Sequence, residues 1–335
     1  MDRIGGRAVV TGLGSVGLLL ALVVASGCSG TSSARQDPPS PASPAPAPSA
    51  PAAVRRNQAL PGADLTKERD GAGDLRRVRF ESHALGRSDS YLIYLPPGYA
   101  RQAKAGRRFP VLYLLHGDGR HQRHGAGHLF QRGRIGPAVS ALTRSGQLQP
   151  MLIVMPESTD TSVVGDTEWA NTSRGRFASS VIGLVHSVDS IWPTVGSRSG
   201  RGIAGLSMGG YGAVNIALRH LSLFSVLESW SGYFTQTATG PFAGATPAKL
   251  RAASPAAYVQ SLGARLAADP IHVLLYISRT DPLHLQQSPF AAALSSLGVP
   301  VEQHLFGGPH NFALWSSHMR LALRFAGRWL SSGGG

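Results

Sequence analysis

Short runs of apolar residues alternate with helix-length segments along this 335-residue chain. Residues 111–115, 151–155 and 272–277 are apolar almost throughout, which is typical of strands buried on both faces of a parallel sheet. Residues 77–81 and 91–95 are interpreted instead as half-exposed strands with alternating faces. Because strands and helix-length segments alternate, the pattern predicts an α/β domain with a mostly parallel central sheet flanked by helices.

One further apolar run, residues 202–206, leads directly into the sequence Gly-Leu-Ser-Met-Gly at 205–209. Residues 211–220 then show helical apolar spacing. A Gly-x-Ser-x-Gly pattern between a strand and a helix indicates a nucleophile elbow, a sharp turn that exposes a serine hydroxyl above the sheet edge. In a chain with 41 glycines the pattern alone is weak, and the alternative is a plain glycine-rich turn. The order of strand, turn and helix favours Ser207 as a nucleophile.

A serine nucleophile needs an imidazole to accept its proton and a carboxylate to orient that imidazole. In elbow-type hydrolases the chain order is serine, acid, histidine. Asp281 follows the buried strand at 272–277 and lies at a strand-to-loop exit, which favours it as the acid. The other acids after Ser207 are placed inside a strand, before a strand or on an alternating strand: Glu228, Asp269 and Glu302.

His310 is the favoured base because it lies in a flexible loop, residues 307–312, between the last predicted strand and a helix from about 311 to 330. The other histidines that follow the acid are His284, His304 and His318. The oxyanion of the intermediate also needs backbone N–H donors. Met208 supplies one as the residue after the nucleophile, and the loop at 116–119, His-Gly-Asp-Gly, is in position to supply another. His116 is interpreted as a residue that holds this loop, not as a base.

Four segments in this order resemble the esterase family of α/β-hydrolases: residues 91–99, 111–117, 205–213 and 308–315. That family includes S-formylglutathione hydrolases, feruloyl and acetyl-xylan esterases, siderophore esterases and secreted mycolyltransferases. The resemblance covers roughly residues 77–330 and implies the α/β-hydrolase fold.

The same resemblance implies Ser207 as nucleophile, His310 as base and Asp281 as acid, with the Asp118 N–H as the second oxyanion donor. Mycolyltransferases share the elbow, but they carry an acidic residue where this chain has His116, and their triad acid is a glutamate. We therefore expect an ester hydrolase. The alternatives are an envelope acyltransferase that uses the same triad and a binding protein without turnover, which would need a broken triad.

Substrate contacts are expected from two sources. A Thr-, Ala- and Pro-rich insertion between Gly232 and Leu262, which includes Phe234 and Phe242, is expected to overhang the site. Trp169 and Trp315 are candidates for lining the pocket, with simple packing as the alternative.

The N-terminal region has the pattern of an exported lipoprotein. Residues 1–27 combine a positive start, an apolar core and small residues, as a signal peptide does. Cys28 follows Ser-Gly in a lipobox-like sequence and is the predicted lipidation site. An ordinary cleaved signal or a retained single-span anchor are the alternatives. Residues 28–73 are predicted to be a disordered Pro-, Ala- and Ser-rich linker, and residues 74–331 the catalytic domain.

Composition excludes other chemistry. Cys28 is the only cysteine, so no disulfide framework, cysteine nucleophile or cysteine-based metal site is expected in the body of the protein. The net charge of +14 is dispersed without a nucleic-acid-binding motif. No metal cluster or phosphate loop is visible. The expected partners are therefore a small-molecule, glycan or lipid ester, with a membrane contact through the N-terminal lipid and no cofactor.

Overall fold

A computed structural model describes residues 65–66, 73–118, 125–157 and 166–331. The β-strands are β1 (Leu65–Thr66), β2 (Asp74–Ser82), β3 (Arg87–Leu95), β4 (Val111–Leu115), β5 (Leu152–Pro156), β6 (Asn171–Thr172), β7 (Gly175–Arg176), β8 (Arg201–Leu206), β9 (Val226–Trp230), β10 (His272–Ser278) and β11 (Val301–Phe306). The α-helices are α1 (Tyr99–Lys104), α2 (Gly125–Arg132), α3 (Ile135–Arg144), α4 (Phe177–Ile191), α5 (Met208–Arg219), α6 (Pro247–Ala253), α7 (Pro255–Tyr258), α8 (Gly263–Ala268), α9 (His284–Ser296) and α10 (Phe312–Trp329).

Nine strands form one sheet in the order β1-β2-β3-β5-β4-β8-β9-β10-β11. The strands from β5 to β11 in this order pair in parallel, whereas β1, β2 and β3 form antiparallel pairs at one end. The predicted mostly parallel sheet is therefore confirmed. The carboxyl ends of its parallel strands lie along one edge, which is where loops of such sheets carry their functional groups.

Two apolar layers cover the two faces of the sheet. Alternate residues of β10 enter different layers: Val273 and Leu275 enter one, and Leu274 and Tyr276 enter the other. The side chains of a strand alternate between faces, so each layer packs helices against its own side of the sheet. A strand with both faces covered needs an unbroken apolar run, which explains the composition of 272–277.

The prediction that residues 91–95 are half-exposed is wrong, because all five are buried. Tyr91 and Ile93 join one apolar layer, and Leu92 and Tyr94 join the other. This strand lies between β2 and β5, inside the sheet, so both of its faces are covered. The edge strand β11 is half-buried along its length, as its alternating sequence indicates.

The signal peptide at 1–27 and the lipidation site Cys28 lie outside the described residues, as does most of the predicted linker at 28–73. Within that range, however, Leu65–Thr66 pairs with β2 as an edge strand, since β2 still offers free backbone groups on that side. Among the helices that the structure describes, none has the length and apolarity needed to cross a membrane.

Candidate active site

Ser207 lies at the turn between β8 and α5 with φ 53° and ψ −118°. A positive φ is uncommon for a residue with a side chain and persists only where the surroundings hold it. Its N–H donates a hydrogen bond to the Trp230 carbonyl at 2.8 Å. A Cβ atom added to Gly205 would lie 2.2 Å from the carbonyl oxygen of Gly209, so the elbow closes only with glycine there. The strained turn therefore presents the Ser207 hydroxyl at the carboxyl edge of the sheet.

His310 lies in the loop between β11 and α10, and its Nε2 is 2.9 Å from the Ser207 Oγ. The side chain of the next residue, Asn311, accepts a hydrogen bond from the Ala313 N–H at 2.9 Å and so caps α10. The cap defines where the loop ends and the helix starts. Because α10 begins at a fixed position two residues after His310, the backbone that carries the imidazole is held beside Ser207.

Asp281 contacts the other ring nitrogen, with its Oδ2 hydrogen-bonded to His310 Nδ1. Its side chain is only 3% exposed, and its Oδ1 accepts a hydrogen bond from the Leu283 N–H at 3.0 Å. Because a carboxylate only accepts, the ring donates from Nδ1, which leaves Nε2 as the acceptor for the Ser207 hydroxyl. The arrangement can remove a proton from serine.

The loops that carry Asp281 and His310 are also joined directly. The Gly308 carbonyl accepts hydrogen bonds from the Thr280 hydroxyl at 3.0 Å and from the Ser278 hydroxyl. Asp281 follows these two residues, and His310 follows Gly308 by two positions. The spacing of Asp281 and His310 therefore does not depend on their own hydrogen bond alone.

The other acids and histidines that the sequence leaves as candidates lie elsewhere. Glu302 bonds to His304 at 2.9 Å on the edge strand, and Asp269 faces Arg198 at 3.8 Å. Glu228 is fully buried, and burial raises the pKa of its carboxyl well above its ordinary value. In the two other histidines, Nδ1 contacts a main-chain carbonyl oxygen: that of Asp281 for His284 and that of Leu314 for His318.

The loop that follows β4 runs beside the elbow. The ring of His116 is almost fully buried, with Nδ1 2.7 Å from the Gly117 carbonyl and Nε2 2.9 Å from the Glu157 carbonyl. A Cβ atom added to Gly117 would lie 2.6 Å from the Leu206 side chain. The loop thus passes close to the elbow, and Asp118 follows directly. His116 supports the loop and does not reach the serine.

Met208 is the first residue of α5, so its N–H has no acceptor within the helix. The N-terminal end of a helix also carries a partial positive charge. Asp118 lines the same cleft as Ser207. The two candidate oxyanion donors therefore lie on the two elements that flank the hydroxyl.

A cleft of about 300 Å³ opens over the hydroxyl. Its lining comes from the loop after β4, α2, the elbow and the start of α10: His116, Gly117, Asp118, Gly125, His128, Leu206, Ser207, His310, Phe312 and Trp315. Trp315 stands edge-on to the His310 ring at 5.2 Å and donates from Nε1 to the Ser231 hydroxyl at 3.1 Å. Sequence reasoning missed His128 and Phe312. The sequence could have indicated Phe312 as a cleft residue, because it lies two positions after the proposed base His310.

Trp169 and Phe234, expected to contact the substrate, do not line this cleft. Trp169 is fully buried and its Nε1 donates to the His116 carbonyl at 2.9 Å. Phe234 is buried and stacks on Phe290 at 4.0 Å between ring centres. Phe242 lies in the wall of a separate cavity of about 640 Å³ along α5. At these positions the insertion packs on the helices beside the cleft, because its aromatic side chains complete the apolar core there.

No group of three or more metal-binding side chains comes together in the part of the chain that the structure describes.

The Esterase family model, described as "Putative esterase", matches residues 82–326. The chain belongs to this esterase family. Over 271 residues it is 26% identical to an esterase of Mycobacterium tuberculosis, a match that covers 70% of this chain and 55% of the relative. Over 167 residues it is 29% identical to an endo-1,4-beta-xylanase/feruloyl esterase of Xylanibacter ruminicola, covering 48% of this chain and 22% of that relative. The chain thus spans about half of the first relative's length and about a fifth of the second's.

Solved structures agree on the fold. A ferulic acid esterase superposes with a TM-score of 0.67 at 23% identity, covering 76% of this chain and 97% of that one. An S-formylglutathione hydrolase from Agrobacterium tumefaciens superposes with a TM-score of 0.65 at 16% identity, covering 80% of this chain and 99% of that one. The chain has the α/β-hydrolase fold that the sequence predicts.

Proposed function

We propose that this chain is an exported serine esterase that hydrolyses carboxylic esters through an acyl-enzyme on Ser207. One observation carries the proposal: the Ser207 hydroxyl lies 2.9 Å from His310 Nε2, while Asp281 binds the other ring nitrogen. Membership of the esterase family supports ester hydrolysis as the reaction. The intact constellation argues against a binding protein without turnover.

In the proposed reaction the Ser207 Oγ attacks the ester carbonyl carbon as its proton passes to His310 Nε2. The buried Asp281 carboxylate stabilises the imidazolium that forms. His310 then protonates the departing alcohol oxygen, which leaves the acyl group on Ser207. A water molecule next gives a proton to His310 and attacks the acyl carbonyl carbon. The bond from that carbon to the Ser207 Oγ then breaks, and His310 returns the proton to Oγ, which releases the acid and restores the serine.

The negative oxygen of each tetrahedral intermediate is assigned to the N–H groups of Met208 and Asp118. Backbone donors held in place before the reaction stabilise this charge without further rearrangement. The elbow and the loop after β4 supply one donor each. The close approach of Gly117 to Leu206 supports this pairing, because it sets the separation of the two elements.

The size and lining of the cleft favour the ester of a small molecule, or a glycan or lipid ester whose remainder extends into solvent. Its aromatic wall, Phe312 and Trp315, suits an apolar acyl or alcohol group. The name of one sequence relative, an endo-1,4-beta-xylanase/feruloyl esterase, refers to an ester of this kind.

We further propose that residues 1–27 direct export, that Cys28 carries the lipid, that residues 28–73 act as a spacer apart from β1, which pairs with β2, and that residues 74–331 form the catalytic domain. Only the sequence supports these assignments. Cys28→Ser should move the protein from the membrane fraction of the producing cell to the soluble exported fraction. Unchanged fractionation, together with no incorporation of a labelled fatty acid into the wild type, would remove the lipid anchor from the proposal.

The test of the activity is hydrolysis of p-nitrophenyl esters from acetate to palmitate by the purified protein. Ser207→Ala and His310→Ala should each lower kcat by about 10⁴- to 10⁶-fold. His186→Ala, an exposed histidine on α4, is the matched control and should leave the rate unchanged. A folded wild-type protein with no turnover above the Ser207→Ala background would overturn the proposal. If product analysis with added alcohols gave mainly new esters, the acyltransferase alternative would replace hydrolysis.

A further inference from the structure

A hydrogen-bonded cluster outside the triad joins the surroundings of the cleft to the start of the insertion. The Glu168 carboxylate accepts a hydrogen bond from the Tyr233 hydroxyl, whose oxygen lies 2.6 Å and 2.5 Å from its two oxygens. The side-chain amide of Gln236 donates to the same carboxylate at 2.9 Å. The proposed reaction uses none of these three residues. Their close enclosure of a carboxylate beside the active site therefore needs its own explanation.

The residue after Glu168 connects this cluster to the loop that carries Asp118. The Trp169 indole donates from Nε1 to the His116 main-chain carbonyl at 2.9 Å. The two rings also meet edge to face, with 4.9 Å between their centres. His116 precedes Asp118 by two residues, so a shift of its carbonyl is passed along the backbone to the proposed oxyanion donor.

The backbone at this connection is strained. Glu168 has φ 50° and Trp169 has φ 47°, two successive side-chain-bearing residues in the left-handed region. Such conformations persist only where surrounding contacts hold them, and they gather at functional sites. The Thr167 hydroxyl accepts a hydrogen bond from the Trp169 N–H at 3.2 Å, but this contact lies within the turn itself. The contacts of Glu168 with Tyr233 and Gln236 hold the turn from outside.

Tyr233 is a firm anchor because other contacts fix it. Its ring stacks on Tyr211, with 5.4 Å between centres and planes 2° apart, and Tyr211 lies one turn into α5 after the elbow. The next two backbone N–H groups, of Phe234 and Thr235, donate to the Gln286 side chain at 2.8 Å and 2.9 Å. Tyr233 and the two residues after it are therefore held by contacts with α5 and α9.

We propose that Glu168 is a positioning residue for the loop after β4, residues 116–118, called here the oxyanion loop. Tyr233 and Gln236 hold the Glu168 carboxylate, and the neighbouring Trp169 indole holds the His116 carbonyl. The inference rests on the proposed function, since this loop carries the Asp118 N–H assigned to the oxyanion. Without the link the loop shifts in the transition state, while the walls of the cleft still bind the ground-state ester. Glu168 itself does not contact the substrate.

Several titratable groups face the Glu168 carboxyl: Asp166 on the same turn, Asp118 on the oxyanion loop, Tyr233 on the insertion and Tyr211 on α5. Burial, helped by the two aspartates, raises the pKa of Glu168 to about 7, although the hydrogen bonds from Tyr233 and Gln236 lower it. The carboxylate accepts both hydrogen bonds, whereas the protonated form turns one acceptor oxygen into a donor. The link is therefore weakened progressively as the pH falls through about 7.

The kinetic test compares Glu168→Gln, Tyr233→Phe and Trp169→Phe, each of which removes one polar group. The first two keep the shape of the side chain, whereas Trp169→Phe also makes the buried ring smaller. Each should lower kcat by about 10- to 100-fold with KM near the wild-type value, less than the loss of about 100- to 1,000-fold for an oxyanion donor removed outright. Glu302→Gln, on the edge strand, is the matched control and should keep the wild-type kcat. The acid limb of kcat/KM should also be steeper in the wild type than in Glu168→Gln, because only the wild type titrates Glu168 there.

A second readout needs no turnover. Hydrogen exchange should become faster at the amides of residues 113–118 in all three variants and stay unchanged at α4. Thermal unfolding identifies any of the three variants that fails to fold. The kinetics and hydrogen exchange of the remaining variants then test the positioning role. If Ser207→Ala is inactive but the three variants keep wild-type kcat and exchange, the inference fails and the proposed function stands. If the wild type has no esterase activity the proposed function fails, and unchanged exchange at 113–118 would still overturn the positioning role.

Discussion

A Cβ atom added to Gly209 would lie 2.2 Å from the Leu115 carbonyl oxygen and 2.6 Å from that of His116. The first turn of α5 therefore touches the end of β4, which joins the elbow to the loop that carries Asp118. Neither main-chain oxygen can move aside cheaply, because both belong to a central strand and its exit.

Gly209→Ala should consequently push α5 away from β4 and disturb both proposed oxyanion donors. We expect a loss of kcat of at least about 100-fold, as for a misplaced catalytic group, and a lower melting temperature. Gly183→Ala is the matched control, because that exposed glycine in α4 has nothing within 4 Å of an added Cβ. It should stabilise the protein by about 0.5–1 kcal/mol without changing the rate. Equal effects of the two substitutions in thermal unfolding and kinetics would contradict the assigned contact.

Asp281→Asn tests the role of the carboxylate while it preserves the side-chain shape. The amide can hold the wrong tautomer of His310, with the proton on the nitrogen that faces Ser207. A loss of kcat of about 10⁴-fold is expected, with little change in unfolding temperature. Asp269→Asn, whose carboxylate is 40% exposed and faces Arg198, should keep full activity. A small effect of Asp281→Asn on single-turnover acylation would remove this residue from the triad.

Trp315 forms part of the wall of a cleft of only about 300 Å³. Trp315→Ala should enlarge the cleft and move the preference along the p-nitrophenyl series towards longer acyl chains. Trp329→Ala provides the comparison, since that ring is 39% exposed and stacks on His272. The measurement is the ratio of kcat/KM for octanoate to that for acetate. An unchanged ratio in Trp315→Ala would place the acyl chain against another wall.

The buried carboxyl group of Glu228 should make the free energy of unfolding depend on pH. Burial raises the pKa of its carboxyl well above its ordinary value, so the folded protein keeps a proton that the unfolded chain releases. Below the ordinary glutamate pKa of about 4.3, ionisation of Glu228 costs the folded state nothing. Above that pH the free energy of unfolding falls by about 1.4 kcal/mol per pH unit until the carboxyl of the folded protein ionises.

Glu228→Gln should remove this slope. The variant should be more stable than the wild type at pH 8, and the difference should shrink towards pH 4. Urea unfolding at several pH values measures it, with the exposed Glu81→Gln as the control. Parallel pH profiles for wild type and Glu228→Gln would mean that Glu228 is ionised in the folded state.

Local sequence determined much of this protein. The apolar run at 111–115 and the alternating run at 301–306 coincide with β4 and β11, because a short apolar or alternating run suits only a few backbone arrangements. The elbow was visible because Gly205 is required by a contact with the main chain of Gly209, which follows it closely in sequence. Chain order together with placement at a strand exit and in a loop then favoured Asp281 and His310, whose loops the structure brings to Ser207.

Tertiary structure decided what depends on distant neighbours. The sequence of residues 91–95 does not show that β3 has a strand on each side, nor that both of its faces are covered. Trp169 and Phe234 look like pocket residues in sequence, yet the fold places them in the core. Glu168 carries no sequence signal at all, because its surroundings come from Tyr233 and Gln236, more than 60 positions away. Burial and hydrogen-bond partners are properties of the folded chain, so only the structure could reveal that cluster.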